Sequence, residues 1–230
     1  MIRQILLSIN ILIFTPIFSI LIILVGIFDF KKTYTSILAK YWGKTILCLS
    51  NINYKIDNIN IIDKSKKYII ISNHQSLLDI LVTFASVPLN ISFFTKKELF
   101  NIPIFGLAMK LAGMIYVDRY NKNSSKDCVN NTLDIINNNC LSYLIYPEAT
   151  RTNYKLLKEF KKGGFILAIE SSLPILPITL IYNNKKLSNS NIRLVVGNAI
   201  DTVNYNSNTK DILISNTREY IESELYKEFN

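Results

Sequence analysis

The single histidine of the chain, His74, stands five residues before Asp79, and the two side chains together could form a general base. A carboxylate beside a histidine holds the imidazole in one tautomer and stabilises the imidazolium that forms when the ring takes a proton. On one regular helix, however, five residues turn through about 500° and leave two side chains about 140° apart. The pair therefore requires His74 in the turn before a helix and Asp79 in its first turns. Ser72 or Asn73 as the helix N-cap would give that arrangement.

No residue near His74 is placed by the sequence to act as a nucleophile. The chain lacks the G-x-S-x-G turn that presents a catalytic serine in α/β hydrolases. Ser76 is only two residues from His74 on the same short turn, which is a poor position for the base to serve it. If His74 is a base, the hydroxyl that it activates therefore belongs to the substrate. The alternative is that His74 and Asp79 form a purely structural pair.

Further charged side chains stand where predicted strands end. Arg119 follows the apolar run 114–117, residues 148–151 (Glu-Ala-Thr-Arg) follow the run 142–146, and Lys96 follows a third run. Ligands of α/β sheets bind at the carboxyl ends of the strands, and arginine suits a phosphate because its planar fork gives two parallel hydrogen bonds. These residues are therefore candidates for an anion site, and the alternative is a set of solvated charges and an ordinary capped turn.

Two prolines three residues apart, Pro174 and Pro177, mark the start of another apolar run. Proline has no backbone N–H to donate to a sheet, so this run is predicted to be an edge strand or to start irregularly.

The elements that would position these side chains alternate from about residue 51 onward. Strands are predicted at residues 54–56, 68–71, 91–94, 114–117, 142–146, 175–182 and 193–196. Helices are predicted at residues 77–86, 103–111, 124–138, 164–171 and 210–227. This order predicts an α/β fold with a mostly parallel mixed sheet flanked by helices. We expect this α/β domain to span residues 51–230 and to follow membrane-anchoring helices in residues 1–50.

The first of these amino-terminal helices is predicted from the stretch 5–28, which carries no charged residue. As one helix it would be roughly 36 Å long, against about 30 Å for the hydrocarbon core of a bilayer. Pro16 lies in its middle and invites a kink. Two alternatives stay open: a kinked helix that spans the membrane, and a helix that lies in one leaflet. Positive charges on both flanks favour the second alternative mildly.

A second, amphipathic helix is predicted at residues 35–49, with Lys40 and Lys44 on its polar side. One interpretation is a helix that packs on the core. The other is an interfacial helix that holds Tyr41 and Trp42 at the depth of the lipid headgroups.

The formal net charge of +9 suits anionic partners such as phosphorylated substrates or anionic lipid. Nucleic acid is not expected as a partner and is the least favoured of the alternatives, because the basic residues are scattered and the amino terminus is long and apolar. The three cysteines form no C-x-x-C motif, and with one histidine they predict no zinc site or other metal. They are interpreted as reduced thiols in a domain that faces the cytoplasm.

Taken in order, these stretches resemble the four motif blocks of the glycerolipid acyltransferase family, in particular its 1-acyl-sn-glycerol-3-phosphate (lysophosphatidic acid) acyltransferases. The four blocks correspond to residues 73–79 (N-H-x-x-x-x-D), residues 113–119 (a glycine, an apolar run and D-R), residues 148–151 (E-G-T-R) and residues 173–178 (the proline-bearing block). One departure is Ala149, which stands where the family usually has glycine. If that position needs a positive φ, alanine costs on the order of 1 kcal/mol there.

The resemblance implies transfer of an acyl group to the sn-2 hydroxyl of 1-acyl-sn-glycerol-3-phosphate, giving phosphatidic acid. The donor would be a thioester of acyl-carrier protein or coenzyme A, and no other cofactor is implied. By this resemblance His74 would deprotonate the hydroxyl, Asp79 would orient His74, and no covalent acyl-enzyme would form. The implied substrate-binding residues are Lys96, Arg119, Glu148, Thr150, Arg151 and Pro177. Of these, the three cations would hold the phosphate, Glu148 would position the glycerol, and Pro177 would shape a wall.

The expected location is the cell inner membrane, with the catalytic domain facing the cytoplasm. Two other functions remain open at this stage. One is acyl transfer to glycerol-3-phosphate or another lysophospholipid, and the other is a non-catalytic membrane protein that binds anionic lipid.

Overall fold

A computed structural model of the chain describes residues 2–117, 125–151, 157–182 and 192–227. Its helices are α1 (Ile2–Gly26), α2 (Thr33–Leu49), α3 (Leu78–Ser86), α4 (Phe105–Leu111), α5 (Ser125–Asn137), α6 (Gly163–Glu170) and α7 (Lys210–Lys227). Its strands are β1 (Tyr54–Asp57), β2 (Ile69–Ser72), β3 (Ile91–Lys96), β4 (Ile115–Val117), β5 (Ser142–Ile145), β6 (Ile175–Tyr182) and β7 (Ile192–Val196). Each element predicted in the α/β part is present, with ends that differ by at most two residues.

The described strands form one seven-stranded sheet in the order β1-β7-β6-β2-β5-β3-β4. Strands β6, β2, β5, β3 and β4 are parallel to one another, while β7 is antiparallel to β6 and pairs in parallel with β1. Strand β2 is buried on both faces, as its sequence Ile-Ile-Ile-Ser suggests. The predicted fold class, a mostly parallel mixed sheet flanked by helices, is confirmed.

Alternate side chains of β6 serve two different hydrophobic cores. Leu180 faces the core that contains Leu81 of α3 and Ile46 of α2. Ile181 faces the core that contains Phe165 of α6 and the buried side of α7. The sheet is therefore covered by α2 and α3 on one face and by α6 and α7 on the other, and a residue's position along β6 determines which side it reaches.

Of the two alternatives for the prolines, the edge strand is wrong, because β6 lies between β7 and β2. The irregular start is confirmed, because regular pairing with β7 stops short of Pro177 and resumes only at the isolated bridge Ile175–Ile200. The ladder between β6 and β7 ends at the pair Ile178–Val196. Just beyond that pair, the Pro177 carbonyl accepts a hydrogen bond from the Gly197 N–H at 2.9 Å. The nitrogen of Pro177 lies on this same side of the strand. Its missing N–H therefore falls between the end of the ladder and the bridge at which Ile175 and Ile200 exchange two backbone hydrogen bonds.

Helix α1 packs along α2 and α4. From Asn10 onward its polar side chains are turned toward the protein, whereas Gln4 and Ser8 near its start are exposed. Asn10 donates from Nδ2 to Ser50 Oγ at 3.0 Å, and Trp42 donates from Nε1 to Thr15 Oγ1 at 3.2 Å. By length and composition, α1 can cross a membrane. Its other side exposes large apolar residues, among them Ile5, Ile9, Leu12, Ile13, Ile17, Ile20 and Leu24.

Helix α2 combines features of both interpretations offered by its sequence. The half-buried Trp42 packs edge-on against Phe84 of α3, and its depth relative to lipid headgroups stays a prediction. A Cβ on Gly43 would lie 2.8 Å from the Leu81 carbonyl oxygen, so the glycine allows α2 to approach α3 closely. Tyr41 is exposed on the outer side of the helix. One face of α2 is therefore core, and the other is open.

The backbone of Ala149 adopts a left-handed conformation, with φ of 60°. A side chain with a Cβ is strained there, and glycine is not. We expect Ala149→Gly to raise the free energy of unfolding by about 0.5–1 kcal/mol, measured by thermal or denaturant unfolding in detergent. Ala108→Gly in α4 is the control, because glycine inside a regular helix lowers stability. An unchanged or lower stability of Ala149→Gly would contradict the strain.

Candidate active site

The His74 and Asp79 side chains meet at the carboxyl end of β2. His74 lies in the turn before α3, and Asp79 is the second residue of that helix. Nδ1 of His74 is 2.8 Å from Oδ2 of Asp79. This is the arrangement that the spacing required. A carboxylate only accepts, so Nδ1 carries the proton and Nε2 carries the lone pair that can act as a base.

The Asp79 carboxylate is fully buried and is held by donors from two segments. The Oδ2 atom accepts the backbone N–H groups of Gln75 at 2.6 Å and Ser76 at 2.8 Å. The Oδ1 atom accepts a short hydrogen bond from the Tyr182 hydroxyl at the end of β6. A buried charge requires such donors, and together they fix both oxygens of the group that orients His74.

The predicted N-cap is wrong, since neither Ser72 nor Asn73 caps α3. The helix begins at Leu78, and Ser76 Oγ accepts the Leu78 N–H at 3.2 Å. Asn73 instead pairs with β6: its Nδ2 donates to the Leu180 carbonyl and its Oδ1 accepts the Leu180 N–H, both at 2.8 Å. This amide continues the sheet beyond β2 and fixes the His74 turn relative to β6.

Two tyrosines complete the surroundings of the pair. The ring of Tyr146 stacks on the His74 imidazole, with centroids 4.0 Å apart and planes 16° apart. Burial raises the pKa of Tyr146 and of Tyr182 well above the usual value for tyrosine, and the nearby charge of Asp79 adds to both rises. Both hydroxyls therefore stay protonated, so Tyr182 remains a donor to Asp79.

Glu148 contacts the same turn from the neighbouring strand. It follows β5, which pairs with β2, and it is buried. Its Oε1 accepts the His74 backbone N–H at 3.0 Å, and its Oε2 accepts the Lys158 backbone N–H at 2.9 Å. Sequence reasoning placed Glu148 against the substrate. The structure shows it holding the backbone of the histidine and of the segment that contains Lys158.

Three more of the predicted substrate-binding residues, Lys96, Thr150 and Arg151, lie at the carboxyl ends of β3 and β5. Arg151 is exposed, and its charge opposes the rise in the pKa of Tyr146. Thr150 Oγ1 accepts a hydrogen bond from Lys158 Nζ at 3.0 Å. Lys96 is exposed at the end of β3, which pairs with β5. Arg119 lies outside the described residues.

Pro177 is not brought to the histidine. It alternates along β6 with the side chains that face α3, so its ring points to the opposite face of the sheet. There it lies beside Gly197 and Tyr220, because a Cβ on Gly197 would be 2.8 Å from Pro177 Cγ and 2.5 Å from the Tyr220 ring. The position of Pro177 therefore does not support the prediction that it shapes a wall of the site.

Sequence reasoning missed Tyr182, Tyr146 and Lys158. Tyr182 follows 103 residues after Asp79, and nothing in the sequence around it sets it apart from the other apolar residues of β6. Tyr146 offered a weak signal, since it lies directly beside the block that contains Glu148. The role of Lys158 depends mainly on its backbone N–H, which a sequence cannot single out.

An apolar cavity lies between α1, α2, α3, β3 and α4. It is lined by residues that include Phe18, Ile22, Trp42, Phe84, Phe105 and Met109. Among the described residues, no group of three or more His, Cys, Asp or Glu side chains is placed to hold a metal ion. The histidine site offers a buried carboxylate, an imidazole base and exposed cations at one end of the sheet, which together suit the activation of a hydroxyl on an anionic substrate. The apolar cavity is a separate feature, because none of these residues lines it.

Several known proteins resemble this chain. A putative 1-acyl-sn-glycerol-3-phosphate acyltransferase of Caenorhabditis elegans is 35% identical over 149 residues, which is 65% of this chain and 57% of that protein. A chloroplastic 1-acyl-sn-glycerol-3-phosphate acyltransferase of Arabidopsis thaliana is 29% identical over 220 residues, which is 89% of this chain and 59% of that protein. The chain thus spans somewhat more than half the length of these curated relatives.

The fold also matches a solved structure. The crystal structure of a 1-acyl-sn-glycerophosphate acyltransferase from Thermotoga maritima superimposes with a TM-score of 0.78 over 98% of this chain and 94% of that chain, at 15% identity. Residues 53–181, more than half of the 230-residue chain, match the acyltransferase family. This match includes the His74 turn, the Glu148 loop and all but the last residue of β6, and it shows that the chain belongs to the acyltransferase family.

Proposed function

We propose that the protein transfers an acyl group from a thioester to the sn-2 hydroxyl of 1-acyl-sn-glycerol-3-phosphate, giving phosphatidic acid. The observation that carries this proposal is the contact of 2.8 Å between His74 Nδ1 and a fully buried Asp79 carboxylate. Such a pair supplies a base without supplying a nucleophile, as acyl transfer to a substrate hydroxyl requires. The names of the relatives in Caenorhabditis elegans and Arabidopsis thaliana support this choice of acceptor.

In the proposed reaction, Nε2 of His74 removes the proton from the acceptor hydroxyl as its oxygen attacks the thioester carbonyl carbon. A C–O bond forms, the C–S bond breaks, and the thiolate leaves with the proton that His74 had taken. The Asp79 carboxylate stabilises the imidazolium between these two proton transfers. Because the hydroxyl belongs to the substrate, no acyl-enzyme intermediate is needed.

Each part of the acceptor has a counterpart in the chain. Arg151 and Lys96 are exposed cations at the carboxyl edge of the sheet, and we assign the phosphate to them together with Arg119. The apolar cavity between α1 and α3 would hold a fatty acyl chain, since its lining is almost entirely hydrocarbon and aromatic.

The membrane would deliver the lipid substrate, and α1 would attach the protein to it. Because α1 packs against α2 and α4, we propose that it lies along one leaflet with its exposed apolar side in the lipid. The proposed location is the cytoplasmic face of the cell inner membrane. This agrees with the thiols of Cys48 and Cys140, which are not joined in a disulfide.

The direct test measures turnover by the full-length protein in detergent or vesicles. Lysophosphatidate is supplied as acceptor with coenzyme A and acyl-carrier protein thioesters of several chain lengths, and glycerol-3-phosphate is the competing acceptor. We expect phosphatidate to form, and we expect His74→Ala to lower kcat by roughly 10²–10⁴-fold, as for the loss of a general base. Thermal unfolding of the variant checks that it is folded. Full activity of a folded His74→Ala protein, or binding of phosphatidate vesicles without any turnover by the wild type, would contradict the proposal.

Tyr182→Phe removes the donor to Asp79 Oδ1 and leaves that oxygen of a buried carboxylate without its hydroxyl partner. We expect kcat to fall by about 3–10-fold with both KM values unchanged, and stability to fall by about 1–3 kcal/mol. Tyr143→Phe is the matched control, because this strand tyrosine is also buried and hydrogen-bonded, to Asn139, but lies on the other face of the sheet. Equal effects of the two substitutions on kcat would show that Tyr182 acts only through stability.

Arg151→Met tests the assignment of the phosphate. We expect the KM for lysophosphatidate to rise by about 10-fold or more, since a charge-assisted hydrogen bond contributes about 1.5–3 kcal/mol. The KM for the thioester should stay within about twofold. Lys66→Met is the control, because it makes the same change of charge before the amino end of β2, away from the carboxyl end where His74 lies. It should leave the KM values for lysophosphatidate and for the thioester unchanged. A rise in KM that is the same for both variants would indicate a general effect of net charge.

A further inference from the structure

Arg218 of α7 holds two consecutive backbone carbonyls of a segment that has no regular structure. Its Nη1 donates to the Lys158 carbonyl at 3.0 Å, and its Nη2 donates to the Leu157 carbonyl at 3.2 Å. The guanidinium carbon also lies 5.7 Å from the centroid of the Phe160 ring. The contact with Glu222 is weaker, with 3.8 Å between Arg218 Nε and Glu222 Oε2.

The segment that Arg218 holds is itself in contact with the active site. The Lys158 N–H donates to Oε2 of Glu148, and Oε1 of Glu148 accepts the His74 N–H. A short series of hydrogen bonds therefore runs from the guanidinium of Arg218, through one peptide segment and one buried carboxylate, to the backbone of the histidine. Every atom of this series belongs to the described part of the chain.

We propose that Arg218 is a positioning residue for the His74 base, acting through Lys158 and Glu148. The proposal rests on the proposed acyl transfer for its kinetic consequences, but the structural contacts do not depend on it. Arg218 does not touch His74, and its effect is to fix the peptide that supplies Glu148 with one of its two backbone donors.

The chemistry of arginine suits this task. Its planar fork presents two parallel N–H groups, which match two carbonyls that neither a helix nor a sheet satisfies. The helix that carries the guanidinium is fixed in position, because Leu213, Ile221 and Leu225 of α7 are buried in the core. The Glu222 pair adds little, since both side chains are about one-third exposed and such ion pairs are screened by solvent.

Without this clamp, the segment of Leu157 and Lys158 is free to move away from Glu148. The carboxylate then loses one of its two backbone donors and holds the His74 backbone less tightly. An error of about 1 Å in the position of a catalytic group can lower the rate by up to roughly 10²-fold. The loss should appear in kcat, because binding of the two substrates does not depend on the His74 backbone.

The test is a double-mutant cycle in the full-length protein with Arg218→Leu, Glu148→Gln and the double variant. We expect Arg218→Leu alone to lower kcat by about 10-fold, with both KM values within about twofold of the wild type. In the Glu148→Gln background the same substitution should lower kcat by less than about threefold, because the two residues act in series. Glu222→Gln is the control and should leave kcat unchanged.

Three outcomes would overturn the proposal. They are an unchanged kcat in Arg218→Leu, an equal loss in both backgrounds of the cycle, and an equal loss in Glu222→Gln. Thermal unfolding of each variant separates these from a simple loss of stability, which would lower the active fraction in either background.

A second measurement does not use activity at all. Amide hydrogen exchange of residues 157–161 should be faster by about 10-fold or more in Arg218→Leu and unchanged in Glu222→Gln, since the Lys158 N–H loses its fixed acceptor. Unchanged protection in Arg218→Leu would overturn the clamp even if the wild type turned over no substrate. Absence of turnover by the wild type, with faster exchange in the variant, would contradict the proposed function and leave the clamp supported.

Discussion

Burial of the Asp79 carboxylate is the constraint on which the rest of the site depends. A charged group without water needs several donors, and no single segment of this chain supplies them. The backbone of Gln75 and Ser76 provides two, the His74 ring provides a third, and the Tyr182 hydroxyl provides a fourth. His74 is consequently one of the donors that stabilise the buried Asp79 charge. Because it donates from Nδ1, this role also determines its tautomer.

The same constraint explains why the active site requires three neighbouring strands of the sheet. Tyr182 reaches Asp79 only because β6 pairs with β2, and Glu148 reaches the His74 turn only because β5 pairs with β2 on the other side. Asn73 strengthens the first pairing with two hydrogen bonds to Leu180 beyond the end of β2. Parallel strands that end at one edge thus bring together residues far apart in the chain.

Sequence reasoning succeeded where periodicity and composition determine the outcome. It located the strands of the α/β part to within two residues, and the angle between residues five apart on a helix correctly required His74 to precede α3.

Sequence reasoning failed where tertiary contacts decide. Proline in β6 indicated an edge strand or an irregular start, and the strand is central with an irregular start, because the missing donor lies where pairing on the β7 side is interrupted. Trp42 had the pattern of an interfacial residue, and that pattern gave no sign of its contacts with Phe84 and Thr15. Contacts made by backbone atoms, such as that of Lys158 with Glu148, leave no trace in residue types.

The sorting of polar and apolar residues gives α1 two different sides. Asn10 and Thr15 each have a partner inside the protein, and Ser19 is buried, so beyond the exposed Gln4 and Ser8 the outer side of the helix is apolar. An apolar surface of this length costs free energy in water and gains it in hydrocarbon. The inner side of the same helix lines the apolar cavity through Phe18 and Ile22. One helix therefore has an exposed apolar side and, on its other side, a wall of the apolar cavity, so the proposed membrane contact and the proposed acyl-chain site would share α1.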